Sequence, residues 1–210
     1  MEIRGDVIFE DVVIVPLQKM IKKRAAALLA RAFVEDSEVI TIIRKPRRVR
    51  QRILQSHYSI LISSFLRYNA SACVLAGGEL VGVMLVCAPG EEPIGVKELA
   101  RFFLRMLLQL NPGSFRRGWV SAQDDEHHRP CEPHYYLSTL GIEPKRQGNG
   151  IGSVLLKYLI ERADKENTAI YLSSTNPKAL PLYERFGFNT ISITSPLGVP
   201  NHHMVRNGIK

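Results

Sequence analysis

A chain of 210 residues with 45% hydrophobic composition is long enough to bury one sizeable core. No run approaches the ~18 apolar residues of a membrane span. The acid-carrying alternation of MEIRGDVIFEDVVIV is not that of a signal peptide, so a cytoplasmic protein is expected. Cys73, Cys87 and Cys131 are few, odd in number and unpatterned, which argues for reduced thiols over a disulfide framework. The net charge of +8 invites a polyanionic partner.

In chain order, Val7 to Val15 reads as a strand and Lys19 to Phe33, rich in Ala, Leu, Lys and Arg, as a helix. Arg47 to Tyr68 reads as a second helix whose apolar set is Val49, Ile53, Tyr58, Ile60, Leu61, Phe65 and Leu66. The cations from Arg44 to Arg52 have two readings: a nucleic-acid surface, or a solvated helix start that concentrates anions nearby. No aromatic residues interleave with them and no nucleic-acid fold motif is visible, which favours the second. Ala70 to Ala76 and Leu80 to Cys87 make two strands joined by Gly77-Gly78-Glu79, a hairpin signal. Val96 to Leu110 carries an amphipathic helical pattern that Asn111-Pro112-Gly113 should end. Phe115 to Glu126 is open between a further helix around Trp119 and irregular chain, and Asp124 to Pro133 reads as a loop. Cys131, His127, His128 and His134 match no familiar zinc spacing, so no metal is expected.

The chemistry concentrates between His134 and Gly152, in HYYLSTLGIEPKRQGNGIG. Tyr135 to Ile142 is apolar and β-prone; from Ile151 to Lys165 the spacing turns helical. A glycine turn opening a helix offers unpaired N–H groups and a favourable dipole to an anion, and glycine lets a phosphate approach the backbone. A P-loop needs Lys then Ser or Thr after its last glycine, and a dinucleotide turn needs a third glycine where Ser153 stands. The remaining pattern, Q/R-x-x-G-x-G/A, is met by Gln147, Gly150 and Gly152. Further on, Ala169 to Ser173 is a short buried strand. Asn176 to Phe188 (NPKALPLYERFGF) reads as a short or bent helix, with Asn176 as its cap, Pro177 at its first position, Pro181 inside it and Gly187 at its end. Phe188 to Thr194 and His202 to Arg206 are the last strands.

The glycine turn resembles the pyrophosphate loop of the GNAT acyltransferases, and NPKALPLYERFGF resembles their N-x-x-A-x-x-x-Y-x-x-x-G-F segment. Within that superfamily H-Y-Y-L-S-T-L-G-I-E-P-K-R-Q-G-N-G is most similar in motif to puromycin N-acetyltransferase and its relatives. The resemblance implies an α/β (α+β) fold: a mixed, mostly antiparallel sheet of about six or seven strands, splayed between the fourth and fifth and flanked by helices. It implies one domain over residues 1–210, with an inserted segment at about 91–132 that sets acceptor specificity. It implies acetyl-CoA bound by Leu140, Gly141, Ile142, Gln147, Gly148, Asn149, Gly150, Ile151, Gly152, Ser153, Asn176 and Tyr183. An N–H near Leu140 would polarise the thioester carbonyl, and Tyr183 would give its proton to the leaving sulfur. The acceptor would be a small-molecule or protein amine, attacking directly in a ternary complex. No nucleic acid or membrane partner is expected, and the protein would be a monomer or homodimer. Strand alternation puts Tyr136, Ser138 and Leu140 on one face. Tyr136 and Ser138 therefore stand where many relatives keep Glu or His bases, yet neither is a good base at neutral pH. A water-relayed base anchored by Glu35, Asp36 or His134 is the open alternative. A non-catalytic acetyl-CoA-binding module is the competing reading; it would need neither Tyr183 nor an open acceptor cleft.

Overall fold

The structure is a computed structural model, and it describes residues 12–91 and 111–208, with Ala100, Leu104 and Gln109 between them. One seven-stranded sheet runs in the order β1-β2-β3-β4-β5-β7-β6. Its first half is antiparallel: β1 (Val12–Pro16), β2 (Ala72–Ala76), β3 (Glu79–Cys87) and β4 (His134–Ile142). The second half is also antiparallel: β5 (Ala169–Ser174), β7 (Asn201–Arg206) and the edge strand β6 (Asn189–Thr194). A parallel pairing of β4 with β5 joins the halves.

Helices α1 (Lys22–Phe33), α2 (Ser37–Ile42) and α3 (Arg47–Phe65) cover one face. Leu28, Leu29, Ile62 and Phe65 pack there on Val83 and Leu85. Helix α5 (Ile151–Lys165) covers the other, placing Leu155, Leu156 and Leu159 on Val74, Met84, Val86 and Ile170. Two further helices among the described residues are α4 (Pro112–His127) and α6 (Leu180–Arg185). None of the described helices is long and apolar enough to cross a membrane.

Several expected boundaries move. Of the strand expected from Val7 to Val15, the part before Val12 lies outside the described residues; β1 runs Val12–Pro16, and a 3-10 turn at Lys19–Ile21 precedes α1. The helix expected at Val96 to Leu110 lies outside the described residues, apart from Ala100, Leu104 and Gln109, which are helical. Asn111-Pro112 does not merely end a helix. Asn111 caps α4 by accepting from the Ser114 N–H at 2.8 Å, with Pro112 at the first helical position. Asp124 to His127 are consequently helical rather than loop.

Two features of β4 position the site. First, its pairing with β5 is confined to His134–Ala169, Tyr135–Ile170 and Tyr136–Tyr171, after which the strands separate. The edge of β4 from Leu137 onward has no strand partner on that side, the arrangement that accepts an extended ligand as an added strand. Second, a bulge falls at Ser138: Val86 opposes Leu137 but Leu85 opposes Thr139. An extra residue in one strand inverts the faces beyond it. Tyr136 packs with the α1–α3 layer, whereas Leu140 and Ile142 pack with the α5 layer beside Tyr135 and Leu137. The expected common face of Tyr136, Ser138 and Leu140 is thus overturned.

The turn between α1 and α2 is clamped by Arg50, only 7% exposed. Its Nε donates to Val34 O at 2.6 Å, its Nη1 to Lys45 O at 3.0 Å and its Nη2 to Glu35 Oε2 at 3.0 Å. Arg50→Met keeps the stem and removes all three donors, so it is expected to cost about 1–3 kcal/mol for each carbonyl left buried and unpaired. Arg50→Lys should recover only part, because an ammonium cannot reproduce the planar fork. Urea midpoints check this; a midpoint unchanged in Arg50→Met would show that the clamp contributes nothing.

Candidate functional site

The glycine turn leaves β4 held from two sides. The Glu143 N–H donates to Val81 O at 2.9 Å, and the Glu143 carboxylate takes a two-pronged contact from Arg31 of α1, the shorter arm 2.6 Å. One 3-10 turn follows at Pro144–Arg146, and Gln147 Nε2 donates back to Ile142 O at 3.2 Å. Gly148 and Gly150 then take φ of +79° and +80°, a region that side chains make costly. Helix α5 begins at once, and its first intrahelical bond runs from the Val154 N–H to Gly150 O at 3.1 Å. The N–H groups of Ile151, Gly152 and Ser153 precede that bond, at the positive end of a four-turn helix. A Cβ added at Gly148 or Gly150 would meet nothing within 4 Å. Open space lies in front of both, as a diphosphate requires.

That space belongs to a cleft of about 830 Å³, within the usual range for ligand sites. Its walls are the glycine turn, Leu140 to Ile142 of β4, the exit of α1 from Ala32 to Ser37, and the segment from Thr175 to Arg185. Gly141 allows the close approach of α1 to β4, since a Cβ there would collide with Leu29 and crowd Phe33. Of the expected cofactor contacts, Leu140, Gly141, Ile142, Gln147, Gly148, Gly150, Ile151, Gly152, Ser153, Asn176 and Tyr183 line this cleft. Asn149 does not. Arg185 also lines it and donates to Ser153 Oγ at 2.9 Å, a contact the sequence did not announce.

Asn176 caps a turn rather than the helix: its Oδ1 accepts from the Lys178 N–H at 3.0 Å, and α6 starts only at Leu180. Pro177 therefore lies outside the helix, while Pro181 falls in its first turn, where it removes no helical bond. Gly187, at φ +83°, closes the helix as expected. This short helix carries Tyr183, 8% exposed, against Phe188 with ring centroids 5.9 Å apart. Burial pushes its hydroxyl up to about 12, so the phenol keeps its proton at neutral pH.

Tyr136 and Ser138 are not among the residues lining the cleft. The Tyr136 ring lies under the Arg129 guanidinium at 4.1 Å and beside the Tyr171 ring at 5.9 Å. Burial lifts its hydroxyl to about 12. Glu35 and Asp36 do line the cleft, but Glu35 is paired with Arg47 and Arg50. Asp36 caps α2 by accepting from the N–H groups of Glu38 and Val39 at 3.0 and 3.3 Å. His134 Nδ1 is engaged with Glu132 O at 2.8 Å.

The first residues of α2 and the last turn of α4 meet on the α1–α3 face. Ser121 is hydrogen-bonded to Glu38, whose carboxyl burial lifts to about 7. Asn201 Nδ2 donates to Asp125 Oδ1 at 3.0 Å, and burial raises the Asp125 carboxyl too. Asp124 of α4 and His128, the residue that caps its end, adjoin the buried His203 of β7; His127, Cys131 and His134 do not join them. The His128 and His203 rings stack at 4.3 Å with 19° between their planes. Imidazole lone pairs lie in the ring plane, so two stacked rings cannot share an ion without one turning. Asp124 Oδ2 already accepts from Thr194 at 2.6 Å and Asn201 at 3.3 Å. This group anchors α4 to the β5–β7 half of the sheet.

Residues 46–188 match the Acetyltransferase (GNAT) family. The chain is 24% identical over 185 residues to an uncharacterized N-acetyltransferase, C550.08, of Schizosaccharomyces pombe, covering 79% of this chain and 70% of that one. It is 34% identical over 89 residues to a mycothiol acetyltransferase of Salinispora arenicola, covering 39% of this chain and 28% of that one. Among solved structures, histone acetyltransferase HPA2 and related acetyltransferase from Corynebacterium glutamicum superposes with a TM-score of 0.70 at 23% identity, over 95% of this chain and 98% of that one. Arylalkylamine N-acetyltransferase 2 from Aedes aegypti gives 0.65 at 12%, over 94% and 99%. With the family match spanning well over half the chain, on a sheet splayed at β4–β5, the protein belongs to the GNAT family and is an N-acetyltransferase.

Proposed function

We propose that the protein moves the acetyl group of acetyl-CoA to a primary amine of a small molecule or protein, by direct attack in a ternary complex. Residues 1–210 then act as one acetyltransferase domain, with 91–132 as an insertion that sets acceptor specificity. Family members use acetyl-CoA, and the neighbours include an arylalkylamine and a polyamine acetyltransferase by name. The observation that carries the reading is the splay: the free edge of β4 opens into the same cleft as the glycine turn and Tyr183.

When bound, acetyl-CoA supplies an activated acetyl group and a thiolate leaving group. The N–H groups at the start of α5 hold the diphosphate, and the unpaired edge of β4 holds the pantetheine arm. A backbone N–H near Leu140 polarises the carbonyl; losing such a donor typically costs about 10²–10³ in rate. Tyr183 gives its proton to the departing sulfur. The test is a panel of puromycin, tyramine, spermidine and a free-amine peptide with acetyl-CoA, read by free thiol. Amine-dependent thiol release is expected. Thiol release indifferent to every amine would overturn the reading.

Lys145 and Arg146 stand exposed on the turn before Gln147, with no ion-pair partner among the described residues. Replacing both with Ala is expected to weaken CoA binding about twofold to fivefold per cation at low salt, since exposed charges are worth little more. The loss should vanish near ~1 M salt, where screening acts over ~3 Å. Equal losses at both ends of a salt series by calorimetry would rule out long-range attraction.

A further inference from the structure

The cleft divides by charge. Glu35 and Asp36 stand on its α1 wall, whereas Arg146, Lys178 and Arg185 stand on the walls made by the glycine turn and by the segment that carries Tyr183. Elsewhere the arginines end on carboxylates: Arg31 on Glu143, Arg129 on Glu126 and Arg206 on Asp164. Among the described residues no carboxylate pairs with Arg146, Lys178 or Arg185. Cations that face a cleft without a counter-charge fit an anion brought from outside.

The three cations are not equivalent. Arg146 and Lys178 are exposed, and among the described residues no hydrogen bond fixes either side chain. They can attract an anion but are not aimed at one. Arg185 is pinned. Its Nη2 donates to Ser153 Oγ at 2.9 Å, and its guanidinium carbon lies 5.5 Å from the centroid of the Phe186 ring. The helices that carry the pair are packed together there: a Cβ added at Gly152 of α5 would come within 3.4 Å of Leu182 of α6. The fork thus spends one arm on a neutral hydroxyl. Its other N–H donors have no protein acceptor among the described residues, and they are the donors that meet a phosphate in pairs.

CoA brings two kinds of phosphate. The diphosphate carries one charge on each phosphorus, and the N–H groups at the start of α5 suffice for it. The 3′-phosphate is a monoester, with about −1.5 to −2 charges near pH 7 and three terminal oxygens. A planar guanidinium matches it in charge and in geometry better than backbone N–H groups do. Ser153 joins the two positions: its N–H belongs to the helix start and its hydroxyl orients Arg185.

We propose that Arg185, held by Ser153, binds the 3′-phosphate of CoA and makes the enzyme select CoA over donors that lack that group. The proposal rests on the CoA reading of the cleft. It assigns a different task to each end of α6: Tyr183 serves the sulfur and Arg185 the far phosphate of the same cofactor. Arg185 also stands in the last turn of α6, where a cation complements the helix end. That role alone would alter melting and would leave CoA and its 3′-dephosphorylated form equally bound.

The experiment is calorimetric titration with CoA and with dephospho-CoA at ~0.15 M salt, for wild type, Arg185→Met, Arg185→Lys and Ser153→Ala, with melting of each protein recorded without ligand. Wild type is expected to bind CoA roughly 10–30-fold more tightly than dephospho-CoA, the lower part of the range for hydrogen bonds to a charged group because the guanidinium is exposed. Arg185→Met should bring CoA down to the dephospho-CoA value and leave dephospho-CoA unchanged. Arg185→Lys keeps the charge without the fork, and Ser153→Ala keeps the backbone N–H without the hook; each should retain part of the preference. Equal losses for the two ligands in Arg185→Met, or no loss at all, would overturn the assignment. Should Arg185→Met melt early, an undiminished preference for CoA in both Arg185→Lys and Ser153→Ala overturns it instead. Wild type that binds neither ligand overturns the CoA reading of the cleft itself, whereas wild type that binds both equally overturns only the role of Arg185.

Discussion

Tyr183→Phe is expected to lower kcat by roughly 10²–10⁴-fold while CoA binding survives. The ring stays on α6 against Phe188, so little packing is lost. Only the hydroxyl goes, and its proton is the group the sulfur needs. That hydroxyl, pushed up to about 12 by burial, is a donor throughout the neutral range and never a standing phenolate. A donor used only as the C–S bond breaks should reduce kcat and kcat/KM together, leaving ground-state affinity alone. A steady-state fall smaller than this would be ambiguous where product release limits the rate, so the deciding measurement is single-turnover acetyl transfer under saturating acetyl-CoA. A wild-type single-turnover rate in Tyr183→Phe would reduce Tyr183 to a core tyrosine and remove it from the mechanism.

The legible parts of this protein are those whose physics is local. The glycine turn, the strand before it and the helix after it follow from periodicity and from φ values that only glycine adopts cheaply. NPKALPLYERFGF located Tyr183 although its helix starts three residues later than its cap suggested. What stayed hidden depends on contacts between distant segments. The bulge at Ser138 answers to the register of β3, and it moves Leu140 to the face opposite Tyr136. Asn111-Pro112 signals a helix start as well as a helix stop, and α4 takes the first meaning. The six residues of α2 lie between the two long helical patterns and are too few to show a period of their own; Asp36 before Ser37, with Val39 and Ile42 as the apolar residues, is the capping signal that the sequence carries for them. The contact of α2 with α4 gave no sign at all. It exists only once Ser121, 83 residues from Glu38, is folded against α2.

Gly150→Asp is expected to weaken CoA binding by about 10²–10³-fold with the fold intact. Two costs add at that position. Gly150 sits at φ +80°, and any side chain there carries about 1–2 kcal/mol of backbone strain. The second cost is charge: two like charges ~4 Å apart at the mouth of a partly solvated cleft repel by up to about 4 kcal/mol. The space that an added Cβ would enter is empty of protein atoms within 4 Å, so the aspartate side chain projects into the cleft without displacing the core. Gly150→Ala carries the strain without the charge and separates the two. Calorimetric titration with CoA should order the proteins as wild type, Gly150→Ala, Gly150→Asp, with the gap between the two variants shrinking as salt rises. Dephosphorylated pantetheine, which lacks the diphosphate, should not distinguish Gly150→Asp from Gly150→Ala. If Gly150→Asp bound CoA as tightly as Gly150→Ala, no phosphate would lie at the start of α5, and the cleft would have to hold its ligand by the β4 edge alone.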